Sequence, residues 1–196
     1  MMVSIHQPSY FPWLGLLDKI EKSNAFIILD TVQFNDNAFQ SRNIFLNHNG
    51  ETQYLSIPVQ KKNYQKKMFR ELEIVNKNWQ KKQNGFIIAN YKKHPFFDEI
   101  YSQISFIFEK KYVFLIDVVI DSMVACNKIF DIKTNFLLAS DLDIDKELTK
   151  DKLVFGILKK IEATIYLSGV GAKDYQNDKN FEAEGIHLEY QNFSHP

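Results

Sequence analysis

The order of elements in the first thirty residues constrains the fold more than any other feature of this chain. Residues 2–5 form a short apolar run, 14–22 (LGLLDKIEK) carry apolar residues at helical spacing, and 25–29 (AFIIL) form a second apolar run stopped by Asp30. Strand, loop, helix and strand in so short a span close a parallel strand pair with a right-handed crossover. The intervening loop, IHQPSYFPWLG, therefore lies at the carboxyl end of the first strand.

Further along, QSRNIFLNHNGETQYLSIPV holds two alternating runs around an Asn-Gly pair, which predicts a hairpin joining 43–46 to 53–57. The stretch ELEIV, 71–75, reads as another strand. Helices are predicted over 78–93, 96–110 and 112–130, then a strand at 136–139, a helix over 145–161, and strands at 164–167 and 186–190. The expected architecture is a three-layer α/β fold with a mainly parallel sheet. One domain, 1–196, would draw its sheet core from about 1–35 and 133–192 and carry a β-hairpin plus helical insertion over about 36–132. Ligands of such sheets bind beyond the carboxyl ends of the strands, which selects the loops 6–15, 30–43 and 168–175.

Composition excludes several classes. Lys and Arg together number 24, as do Asp and Glu, so no global field recruits nucleic acid or an anionic membrane, and no nucleic-acid partner is expected. The lone Cys126 has no internal disulfide partner and sits in an apolar run, as a small hydrophobe does. His6, Gln7 and Pro8 interrupt any apolar leader, and Asp117 and Asp121 interrupt the run 112–130. The expectation is a cytoplasmic protein without a membrane span. His48, His94 and His187 are scattered without ligand spacing, so no metal site is expected, and no motif names a cofactor.

Chemistry-bearing residues cluster in the three loops. Pro8 forces an extended backbone that holds His6 and Gln7 at the mouth of the sheet, where the imidazole suits acid/base work or phosphate binding. The plainer alternative is a strand-end histidine bonded to a neighbouring carbonyl. Asp30, ending the adjacent strand, is placed either to orient His6 or to cap a turn. In DTVQFNDNAFQSRN, Arg42 suits a bidentate contact with phosphate or carboxylate, and Gln33, Gln40 and Asn43 suit sugar or base groups; a solvated loop is the alternative. Lys61, Lys62, Lys66, Lys67 and Arg70 form a basic patch that either attracts a phosphorylated substrate or is a solvated face. In YLSGVGAKDY, Ser168, Gly169 and Gly171 join a strand end to a short helix, a geometry that turns backbone amides toward an anion; a structural turn is the alternative. Neither a P-loop nor a dinucleotide fingerprint is present.

The opening 5–43 segment, together with YLSIPV, Trp79, YKKHPFF, YLSGVGAKDY and the closing YQNFSHP, resembles the WbqC-like family. The match falls on His6, Gln7, Pro8, Pro12, Gly15, Lys19, Asp30, Gln33, Phe34, Gln40, Arg42 and Asn43, and later on Ser168, Gly169 and Tyr175. Family members are typically encoded among enzymes of O-antigen and other surface polysaccharides, so the resemblance implies work on an activated sugar or its amino group. It also implies a further aromatic-rich segment after His-Pro, whose site residues would not be among these 196. A fainter similarity, strand then FPWLGLLDKI then strand, is to nucleotidyltransferases, although their HxGH pair is absent here.

With what the resemblance implies, these readings lead to the expectation of a transferase modifying an activated, nucleotide-linked or amino sugar in bacterial surface-polysaccharide biosynthesis, such as that of lipopolysaccharide O-antigen. His6 would be the acid/base, Asp30 its orienter, Arg42 and the glycine loop the phosphate holders, and Tyr10 or Trp13 a stacking surface. Gln7, Lys19, Gln33, Gln40, Asn43, Ser168, Gly169 and Tyr175 complete the substrate-binding set. The alternatives are a nucleotidyltransferase-like enzyme using a nucleoside triphosphate, or a non-catalytic module binding a carbohydrate or a pathway enzyme.

Overall fold

The structure, a computed structural model, describes residues 1–76, 78–145, 147–173 and 176–196. In chain order the elements are β1 (Met2–His6), α1 (Leu14–Glu21), β2 (Ala25–Ile28), β3 (Arg42–Leu46), β4 (Thr52–Ser56), α2 (Asn78–Tyr91), α3 (Phe97–Ile104), α4 (Leu115–Ile129), β5 (Asn135–Leu138), α5 (Lys150–Lys160), β6 (Ile165–Ser168), α6 (Asp178–Ala183) and β7 (His187–Tyr190). The chain divides into two compact units: one comprises 1–7, 13–30 and 132–196, the other 8–12 and 31–131.

The first unit is an open, wholly parallel five-stranded sheet in the order β5-β2-β1-β6-β7. The chain's first strand is central, and the sheet grows one way through β2 to β5 and the other way through β6 to β7. Alternation along β1 assigns its two faces. Val3 and Ile5 join Ile157 and Leu158 of α5 and Phe181 of α6 in one buried core. On the opposite face the hydroxyl of Ser23, just after α1, donates to the Ser4 hydroxyl at 2.6 Å. Helices on both faces of a parallel sheet make the three layers of an α/β fold.

The second unit holds the β3–β4 hairpin, paired antiparallel from Arg42↔Ser56 to Leu46↔Thr52. The turn is wider than the Asn-Gly pair alone. Asn47 N–H donates to the Glu51 carbonyl, three residues lie between, and Gly50 takes the positive φ of 80° that closes such loops. The hairpin is accompanied by α2, α3 and α4, with Leu55, Ile57, Trp79, Ile107, Leu115 and Val119 all buried.

Three expectations need correction. The stretch 71–75 is not a strand: Ile74 and Glu73 make isolated bridges to Val59 and Phe114. The helix expected over 96–110 ends at Ile104 and tightens into a 3-10 turn, Ser105–Phe108; the Gln80 amide donates to the Ile107 and Lys110 carbonyls. The helix expected from 145 starts at Lys150. A Cβ added at Gly156 would stand 2.7 Å from Leu148 Cδ1, so the residues before the helix fold back on it instead of extending it. Among the described residues no helix is long and apolar enough to cross a membrane.

Candidate functional site

The sheet of the first unit reverses direction of growth between β1 and β6, and crevices at such points receive ligands beyond the strands' carboxyl ends. The β1–β6 register runs over Met2↔Ile165 and Val3↔Tyr166, after which the Ser4 hydroxyl donates to the Leu167 carbonyl at 3.1 Å. His6 ends β1 and Ser168 ends β6, so these two residues flank the switch point.

His6 is half-buried, and its Nδ1 lies 2.7 Å from the Gln7 carbonyl. A carbonyl only accepts, so the neutral ring carries its proton on Nδ1 and leaves the Nε2 lone pair open. Burial, with the Lys19 ammonium as a second cause, pushes the imidazole down to about 4. At neutral pH the ring is therefore a fixed-tautomer proton acceptor. Lys19 is buried on α1, and its Nζ donates to the Ile5 carbonyl at 3.2 Å. Burial lowers the amine to about 8, so at pH 7 it remains largely charged beneath the end of β1.

On the β6 side, the Ser168 hydroxyl donates to Gln176 Oε1 at 2.8 Å, and a 3-10 turn, Val170–Ala172, follows Gly169 directly. The strand thus passes into a turn whose Ala172 and Lys173 N–H groups donate to the Gly169 and Val170 carbonyls. Tyr175 lies outside the described residues. Asp30 is buried just past the end of β2, and its Oδ1 accepts the backbone N–H of Ser140 at 2.9 Å. The carboxylate thereby ties the end of β2 to the turn after β5. Trp13 is half-exposed; its ring covers Gly15, where a Cβ would stand 2.1 Å from the indole, and meets Phe193 edge-on at 5.6 Å. The loop expected at 6–15 is therefore divided, with Gln7 and Trp13 in the sheet unit and Pro8–Pro12 in the other.

The remaining candidates belong to the second unit. Tyr10 is a packing residue and not an open stacking surface: its ring is fully buried and its hydroxyl donates to Gln83 Oε1 at 2.7 Å. Asn43 Nδ2 donates to the carbonyls of Tyr10 and Phe11, and Ser122 Oγ accepts the Phe11 N–H. These bonds hold Phe11 at a φ of 46°, a conformation disfavoured for a bulky side chain. Gln40 is buried, its Oε1 accepting the Asn35 N–H, and Gln33 Nε2 donates to the Gln65 carbonyl. Arg42 donates through Nη2 to the Asn37 carbonyl and stacks over Tyr54 at 4.6 Å. Of the basic patch, Lys61 pairs with Asp36 and Lys67 lies 3.8 Å from Glu73.

Sequence reasoning missed Ser4, Ser23 and Gln191. The Gln191 amide donates to the Gly15 carbonyl at 2.6 Å and to Asp18 Oδ2 at 2.7 Å, pinning the closing segment to the start of α1. The tight Ser4–Ser23 pair had a signal in the small polar residue inside an apolar strand, but its partner lies beyond the next helix. Among the described residues no cluster of three His, Cys, Asp or Glu side chains could hold a metal ion.

The first unit is thus a doubly wound parallel α/β assembly with its polar residues at the switch point. The chain belongs to the WbqC-like protein family, whose model matches residues 7–196. It is 27% identical over 187 residues to Uncharacterized protein Rv1507c of Mycobacterium tuberculosis (strain ATCC 25618 / H37Rv), a match covering 95% of this chain and 80% of that protein. No solved structure matches significantly.

Proposed function

We propose that the protein is a transferase modifying an activated, nucleotide-linked or amino sugar in bacterial surface-polysaccharide biosynthesis, with its reacting groups at the β1–β6 switch point. The observation that carries this reading is the pairing of a neutral, single-tautomer His6 with a buried Lys19 charge at the end of the central strand. In this scheme the sugar's hydroxyl or amine attacks the group donor, and Nε2 of His6 takes its proton as the new bond forms. The bond from the transferred group to its carrier breaks, the carrier leaving with the electron pair. Burial, seconded by the Lys19 charge, keeps the imidazole from protonating beforehand, and Lys19 contributes positive potential toward a phosphorylated donor. The backbone amides of Gly169–Gly171 would hold the phosphate, and the half-exposed Trp13 would cover the sugar or base. Gln7, at the same strand end, would read a sugar hydroxyl.

The test is incubation with a panel of nucleotide sugars and candidate group donors, followed by mass spectrometry of the sugar product. Transfer that disappears in His6→Ala supports the role assigned to His6. Transfer at an unchanged rate in that variant contradicts it.

A further inference from the structure

The second unit contains a groove of about 550 Å³ between β4 and α2. Its apolar walls are the rings of Tyr54, Trp79 and Phe86, and three carboxamides, Gln53, Asn76 and Gln83, line it as well. Lys82 is the one charged side chain among the described lining residues, and no carboxylate is among them. The Arg42 guanidinium stacked on Tyr54 fixes the orientation of that ring.

Gln83 is the residue that points to a ligand. It is 3% exposed, its Oε1 is engaged by the Tyr10 hydroxyl, and its Nε2 has no hydrogen-bond partner among the described residues. A buried amide donor without an acceptor is costly, and the Gln83 side chain that carries it is also part of the groove lining. Carboxamides both donate and accept, as vicinal hydroxyls do, while aromatic walls suit the C–H face of a ring. A single lysine is no clamp for a diphosphate.

We propose that this groove binds the pyranose ring of an unphosphorylated saccharide. This binding site belongs to the second unit alone, and it stands apart from the transferase reading above because binding is measured without turnover. Among the described residues β4 pairs with β3 alone, so an extended peptide adding to its outer edge is the competing occupant.

The chain has two tryptophans, so in a Trp13→Phe background the fluorescence reports Trp79 alone. Titration with glucose, galactose, N-acetylglucosamine and their short oligosaccharides should give a saturable change with at least one sugar. Tyr54→Ala and Asn76→Ala, at the groove wall, should each weaken it about tenfold while leaving the circular dichroism spectrum unchanged. Absence of saturation with every sugar at high millimolar concentration, undiminished binding in both variants, or a response to extended peptides or nucleosides alone would overturn the proposal. If a nucleotide sugar shifts the amides of His6 and Ser168 while no unphosphorylated sugar changes Trp79 fluorescence, this site is removed and the switch-point reading is spared.

Discussion

Lys19 Nζ donates to the carbonyl of Ile5, the residue before His6, so a buried ammonium supports the last turn of chain before the imidazole. Desolvation is the larger cause of the depressed His6 value and the Lys19 charge the smaller. In Lys19→Met, the His6 imidazole should titrate above about 4 yet remain below the ordinary 6.5. An NMR titration of the histidine ring protons measures this directly, and an unchanged midpoint would show that the two groups are not coupled.

The same depression sets a pH dependence of stability. The unfolded chain protonates its histidine near 6.5, whereas folded His6 resists until about 4. Its contribution is complete above 6.5 and is lost as pH falls through that window, because the unfolded state binds the proton first. Urea midpoints should therefore decline from pH 6.5 to 4, and the decline should be shallower in His6→Gln.

Asp30 offers a test of its tying role. Asp30→Ala removes the acceptor of the Ser140 N–H and should cost about 1–3 kcal/mol, whereas Asp30→Asn retains an Oδ1 acceptor and should cost less. Equilibrium urea denaturation separates the two. Equal losses would mean that the carboxylate charge, and not the Ser140 bond, accounts for the burial of this residue.

Tyr10→Phe should cost about 1–3 kcal/mol, since it leaves the Gln83 carboxamide oxygen unpaired in a buried place. Asn43→Asp should be destabilising as well, because it turns an acceptor toward the Tyr10 and Phe11 carbonyls and releases Phe11 from its positive φ. Thermal melts of both variants check these losses.

The parallel core was legible because its strands are short apolar runs bounded by polar residues, as in 2–5 and 25–29, and the βαβ order leaves few topologies. His6 and Ser168 could be placed for the same reason: a strand end is a local signal. Tyr10 could not, because an aromatic residue between prolines looks the same in a ligand wall and in a core, and its partner Gln83 lies 73 residues away. Gln191 was hidden by the same distance, 176 residues from Gly15. The late start of α5 depends on Leu148 reaching Gly156, a contact that apolar periodicity does not encode. The Phe11 conformation is held by Asn43 and Ser122, each remote in sequence, so only the folded chain reveals why amides and a serine accompany it.

In the proposed function a phosphorylated sugar binds where β1 and β6 part, against a neutral His6. The most direct measurement of this is amide and histidine chemical-shift mapping during titration with UDP- and dTDP-linked sugars. Binding there should give saturable shifts at His6, Gln7 and Ser168–Ala172, together with ring shifts showing that His6 Nε2 becomes hydrogen-bonded. Saturable binding that leaves those residues unmoved would contradict the proposed function.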